Sequence, residues 1–114
     1  MLRTQLNDLM KSNTRGRERG KEDYRLESGG DWLVVSFVNS ELLLKNWQFT
    51  NQGRGKAKGI LNCVEEAVQT GNLAGAKVTD VVNYRFANHL HRRGWCKVDH
   101  GFGCAPDYEL RGRN

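Results

Sequence analysis

Only Asn39 and Ser40 separate two β-rich runs, Trp-Leu-Val-Val-Ser-Phe-Val at 32–38 and Glu-Leu-Leu-Leu-Lys-Asn-Trp-Gln-Phe-Thr at 41–50. A link this short joins neighbouring antiparallel strands and nothing else, so the centre of the chain is a hairpin of two long strands. The periodicity then changes. From Lys56 onward Ile60, Leu61, Val64, Ala67 and Val68 recur at helical spacing, with Asn62, Glu65, Glu66 and Gln69 on the other side, and Gly71 is placed to end the helix.

The remaining elements follow from the same signals. An apolar stretch at 76–82 predicts a third strand, with Lys77, Thr79 and Asp80 making one side polar. Asn83 stands where an N-cap belongs, before a helix whose Phe86, Ala87 and Leu90 share a face and whose Gly94 supplies the C′ turn. Two short strands, 95–98 and 108–110, flank the turn-prone Gly101-Phe102-Gly103. At the start, Leu2, Leu6, Leu9 and Met10 predict a short amphipathic helix over 1–13. Residues 14–23 contain no apolar side chain and two glycines, which predicts a mobile basic loop. The order helix, β, β, α, β, α, β, β, without internal repeat, is that of an α/β domain.

A chain of 114 residues has room for one hydrophobic core, so 1–114 reads as a single domain, with 32–110 as its body and 1–31 as helix plus loop. With 38% hydrophobic and 27% charged residues the balance is globular, and the pattern offers neither an apolar run of membrane-spanning length nor a signal-peptide core. A cytoplasmic protein with no membrane association is expected. Three cysteines, Cys63, Cys96 and Cys104, are an odd set that suits unpaired thiols in a reducing compartment. The net charge of +5 favours a polyanionic partner: nucleic acid, an acidic protein or a phosphorylated cofactor.

The link between the second strand and the first long helix, Asn51-Gln52-Gly53-Arg54-Gly55-Lys56-Ala57-Lys58-Gly59, lets a ligand approach the backbone closely. Unpaired N–H groups at a helix start form an anion site together with the helix dipole, and Arg54, Lys56 and Lys58 add positive charge. The same composition also suits a solvated turn with no ligand. No Gly-Lys-Ser/Thr closes the stretch, so it is not a P-loop, nor is it a dinucleotide fingerprint.

Here the sequence resembles the GNAT superfamily of acetyl-CoA-dependent N-acyltransferases, whose signature is Gln/Arg-x-x-Gly-x-Gly/Ala between a long strand and a helix. Gln52-Gly53-Arg54-Gly55-Lys56-Ala57 fits it residue for residue, and downstream Asn83 precedes Gly94 by eleven residues, with Trp95 in the aromatic place. The likeness spans roughly 32–110. It implies a mixed, mainly antiparallel sheet with flanking helices and a splayed central strand pair, in which 47–50 parts from 76–82. The pantetheine arm of acetyl-CoA would lie in that gap against the strand carrying Trp47 and Phe49. Its pyrophosphate would rest on the segment Gln52, Gly53, Arg54, Gly55, Lys56, Ala57 and Lys58. Asn83 would contact the pantetheine, or would simply cap its helix. No metal is implied.

The reaction so implied is attack by a neutral amine, on a protein or another acceptor, at a thioester carbonyl. Many members of the superfamily place a Tyr seven residues after the motif's Asn as the acid that protonates the thiolate; this chain has Leu90 there. The flanking His89 and His91 project about 100° away from that position on a helix. His89, Tyr108 and Glu41 are the catalytic candidates, with Tyr84 beside them. A second departure is that residues 1–31 replace the elements that usually wall the acceptor site, which leaves either an open cleft or one completed by a second subunit.

Two other readings stand beside this one. His89, His91, Cys96, His100 and Cys104 are zinc-ligand types, but their spacing matches no common zinc motif. Arg15, Arg17, Arg19 and Lys21, with Arg85, Arg92, Arg93, Arg111 and Arg113, could bind nucleic acid, with Trp47, Tyr84 and Trp95 available to stack. Glu18, Glu22 and Asp23 interrupt that basic arm. A catalytically inactive scaffold serving as a binding or inhibitory protein joins the two readings.

Overall fold

The computed structural model describes residues 2–13, 23–38, 40–48 and 56–112. Along them run α1 (Leu2–Asn13), β1 (Asp23–Ser28), β2 (Asp31–Val38), β3 (Glu41–Gln48), α2 (Lys56–Gln69), β4 (Gly75–Val78), α3 (Tyr84–Arg92), β5 (Cys96–Val98) and β6 (Asp107–Arg111). The strands form one six-stranded sheet in the order β1-β2-β3-β4-β6-β5. All neighbours are antiparallel except β3 and β4, which run parallel. The mixed, mainly antiparallel sheet is therefore as expected, and so is the hairpin of β2 and β3. Among the described residues no helix is long and apolar enough to cross a membrane.

Two elements depart from the sequence expectation. The sheet starts before Trp32: β1 pairs along the whole of its length with β2 through a turn at Gly29-Gly30, whose φ values of 56° and 88° suit the glycines of a tight hairpin. Asp23 belongs to this strand and not to the loop assigned to 14–23; the rest of that loop, 14–22, lies outside the described residues. The third strand, in turn, is shorter than 76–82. It stops at Val78 because Asp80 turns the chain, with φ at 53° and its amide donating to Asp107 Oδ1 at 3.0 Å.

The register puts Leu33, Val35, Leu42, Leu44, Ala76, Val78 and Tyr108 on one face of the sheet, and all are buried. Against them pack Ile60, Leu61, Val64 and Val68 of α2 and Leu2, Leu6 and Met10 of α1. Burial of each such Leu, Ile or Val contributes about 2 kcal/mol. β3-α2-β4 and β4-α3-β5 are parallel crossovers advancing the same way across the sheet, so right-handed connections place α2 and α3 on the same face. The other face carries Val34, Ser36, Leu43, Lys77 and Glu109, and among the described residues no helix lies over it.

α1 meets α2 through Cys63, whose thiol donates to Asn7 Oδ1 at 2.9 Å. Burial raises the thiol pKa; Arg3 opposes that rise and Glu66 adds to it. Because the thiolate is the reactive form, Cys63 should alkylate about 100-fold more slowly than the exposed Cys96 and Cys104 until the protein unfolds. Timed iodoacetamide labelling with peptide mapping checks this; equal rates at all three would show that α1 does not cover the thiol.

Candidate functional site: a gap between parallel strands

The parallel ladder of β3 and β4 runs from Glu41 opposite Gly75 to Leu44 opposite Val78, and Thr79 adds a last bond to Leu44 O at 3.1 Å. Beyond it the strands part. At that point β3 has a bulge: Val34 pairs with Asn46 but Val35 with Leu44, so Lys45 is the extra residue. A bulge bends its strand and re-aims the side chains that follow. Simple alternation would put Trp47 on the face opposite Leu44; with one extra residue inserted, the two share a face.

The parting leaves a cavity of about 170 Å³. Its β3 wall is Leu44, Lys45, Asn46 and Trp47; its other wall is the segment from Val78 through Asn83, with Phe86 at the end. Trp47 and Phe86 meet edge to face, ring centroids 5.1 Å apart, so the bulge also joins β3 to α3. Asn83 caps α3, its side-chain oxygen accepting from Phe86 N at 3.1 Å. The cap occupies only the carbonyl end of the carboxamide, so the NH₂ group keeps its donor capacity.

Trp47 and Asn83 stand on the two sides of the gap. The first turn of α2, with Lys56, Ala57 and Lys58, contains no acidic residue that would oppose an anion. Phe49, Gln52, Gly53, Arg54 and Gly55 lie outside the described residues.

The catalytic candidates do not converge on the gap. Glu41 begins β3 at the far end, ion-paired to Arg111 at 3.5 Å; six residues of strand put it about 20 Å from Trp47. Tyr108 is buried on β6, one strand beyond Val78. His89 is half-buried on α3 behind Phe86, the ring centroids 6.5 Å apart. Leu90 has 0% exposure and packs into the core, while Tyr84 is 78% exposed at the start of α3.

A different pair lies beside the gap. His100 Nε2 stands 2.8 Å from Asp107 Oδ2, and the other oxygen of that carboxylate holds the Asp80 amide of the cavity wall. The sequence shows His100 only as a member of a zinc-type cluster, because its link to Asp107 crosses a loop without a motif. Among the described residues no group of three or more His, Cys, Asp and Glu is gathered as a metal site.

No protein-family model and no curated protein sequence matches the chain. Solved structures do resemble it. A protein from Agrobacterium tumefaciens, provisionally described as an acetyltransferase, superposes with a TM-score of 0.57 at 18% identity, over 97% of this chain and 90% of the other. The PaiA N-acetyltransferase of Thermoplasma acidophilum, solved with coenzyme A, superposes with a TM-score of 0.54 at 11% identity, over 71% of this chain and 52% of the other. At such identities the likeness is one of architecture. The strand order, the crossover helices and the parallel pair parted at a bulge give this chain the fold of the GNAT-type N-acetyltransferases.

Proposed function

We propose that the chain binds acetyl-CoA in the gap between β3 and β4 and transfers its acetyl group to an amine. The observation that carries this reading is the parting itself. An unbroken sheet would pair the strand edges beyond Leu44; here they face a cavity, and the chain that leaves β3 past it leads on to the N-terminus of α2, a terminus of the kind that favours phosphate. An extended pantetheine with two amides matches that gap, bonding to strand backbone as another strand would. The glycine-rich stretch Gln52 to Gly55, which leads into α2, would take the pyrophosphate.

Calorimetric titration with acetyl-CoA, using ATP and a short RNA as polyanion controls, tests the reading. Selective micromolar binding of acetyl-CoA is expected. Gly55→Val should weaken it by at least 100-fold if the backbone at that position approaches the pyrophosphate. Unchanged affinity would remove the phosphate assignment.

A second reading, nucleic-acid binding, is favoured by one surface: Arg85, His91 and Arg92 lie exposed on α3 near the exposed Tyr84 ring. Salt-sensitive RNA binding without acetyl-CoA binding would replace the first reading by this one.

A further inference from the structure

We propose that His100, oriented by Asp107, is the general base of the acetyl transfer, and that the acceptor amine reaches the gap from the open face of the sheet. The inference rests on the reading of the gap as an acetyl-CoA site.

The gap passes between two unlike sides. α2 and α3 cover one face, so a donor held at the start of α2 and beside Asn83 enters from the helix side. The opposite face has no helix among the described residues. Asp107 alternates with Tyr108, which faces the helices, so its carboxylate belongs to the open side. The register of β4 with β6 ends at Val78 opposite Tyr108, and Asp107, one residue further, accepts from the Asp80 amide of the cavity wall at 3.0 Å. The pair therefore sits one strand from the point where β3 and β4 separate.

Asp107 is nearly buried, with 8% exposure, and both of its oxygens are engaged, one by the Asp80 amide and one by His100 Nε2. A carboxylate oxygen 2.8 Å from Nε2 favours a proton on that nitrogen, which leaves the Nδ1 lone pair to accept one. His100 itself is exposed, as a group that must meet an incoming amine has to be. In the step so assigned, Nδ1 takes a proton from the amine as its nitrogen bonds to the thioester carbonyl carbon. The C–S bond then breaks, and the CoA thiolate departs with a proton returned from solvent or from the imidazolium. What sets His100 apart from His89, Tyr108 and Glu41 is its carboxylate tie to the cavity wall, through Asp107 to the Asp80 amide.

The test compares wild type, His100→Ala and His100→Gln for acetyl-CoA binding by calorimetry and for release of CoA thiol. Water and a set of primary amines, including peptides with free α-amino and lysine groups, serve as acceptors. Gln can still donate to Asp107 and so keeps the tie to the cavity wall, but it accepts no proton at the amine. Both variants should bind acetyl-CoA within twofold of wild type and release CoA at least 100-fold more slowly. Added imidazoles should restore turnover to His100→Ala, faster with the more basic ones. Turnover by His100→Gln within threefold of wild type overturns the proposal, as does a wild type that binds acetyl-CoA yet releases no CoA with any acceptor. A wild type that fails to bind acetyl-CoA overturns the acetyl-transfer reading itself, and the base assignment falls with it.

Discussion

Replacing Glu65 by alanine should destabilise the fold by about 3 kcal/mol, and lower the melting temperature by roughly 10–15 °C for a domain of this size. The Glu65 carboxylate accepts from Arg93 Nε at 2.8 Å, from Arg93 Nη2 at 2.7 Å and from the Trp95 indole N–H at 2.8 Å. Arg93 also donates to Asn62. This knot joins the middle of α2 to the end of α3 and to Trp95, the residue that carries the chain from α3 into β5. Both charged side chains are mostly buried, at 15% and 16% exposure, so the pair escapes the screening that makes surface ion pairs nearly worthless. Removing the acid strands a guanidinium and a buried indole N–H, and that desolvation cost, more than the lost attraction, sets the size of the effect. Glu65→Gln keeps one acceptor and should cost about half as much. Urea melts of both variants check this; a loss below about 1 kcal/mol for Glu65→Ala would show that the knot is solvated.

How much of this was legible beforehand depends on how local each signal is. The hairpin of β2 and β3 follows from a two-residue link. α2 follows from the spacing of Ile60, Leu61, Val64, Ala67 and Val68, and α3 from its Asn83 cap and the positive φ of Gly94. Each is decided within a few residues by sterics or periodicity. β1 was hidden because it is a charged edge strand, Asp-Tyr-Arg-Leu-Glu-Ser, only half-buried at every second position; Gly29-Gly30 was the signal for its hairpin. The excess length assigned to the third strand has a long-range cause, the bond from Asp80 N to Asp107 27 residues away. Glu41 suits a base by residue type, but its place at the start of β3 sets it at the opposite end of the strand from the gap.

The gap was legible as a resemblance, through Gln52 to Ala57 and the Asn83-to-Gly94 spacing, but its structural cause was not. Nothing about Lys45-Asn46 marks a bulge, because the extra residue exists only relative to the partner strand. The pairing of His100 with Asp107 is hidden for a related reason: a polar contact across a loop has no periodicity to betray it. The core of such a fold is thus more readable than its chemistry, since burial recurs along an element while a site is assembled once from distant pieces.

Deleting Lys45 isolates the bulge and should abolish acetyl-CoA binding, with an affinity loss of at least 100-fold, while the protein stays folded. Without Lys45 every cross-strand partner is kept: Leu44 opposite Val35, Asn46 opposite Val34 and Trp47 opposite Leu33. The faces are kept too, because Leu44, Asn46 and Trp47 already alternate in the sense the shortened strand requires, except that Trp47 now follows Asn46 without the bend. A straightened β3 can continue its parallel ladder past Thr79, so the backbone edges that would hold pantetheine pair with each other instead. The deletion also removes the 3.0 Å ion pair of Lys45 with Asp23, but that pair is exposed and worth no more than about 1 kcal/mol. Lys45→Ala separates the two effects, since it loses the ion pair and keeps the bulge; its affinity for acetyl-CoA should stay within threefold of wild type. If the deletion variant, folded by circular dichroism, binds acetyl-CoA as wild type does, the bulge does not create the site and the ligand lies elsewhere. If Lys45→Ala fails as badly as the deletion, the lysine side chain, not the extra residue, is what the ligand needs.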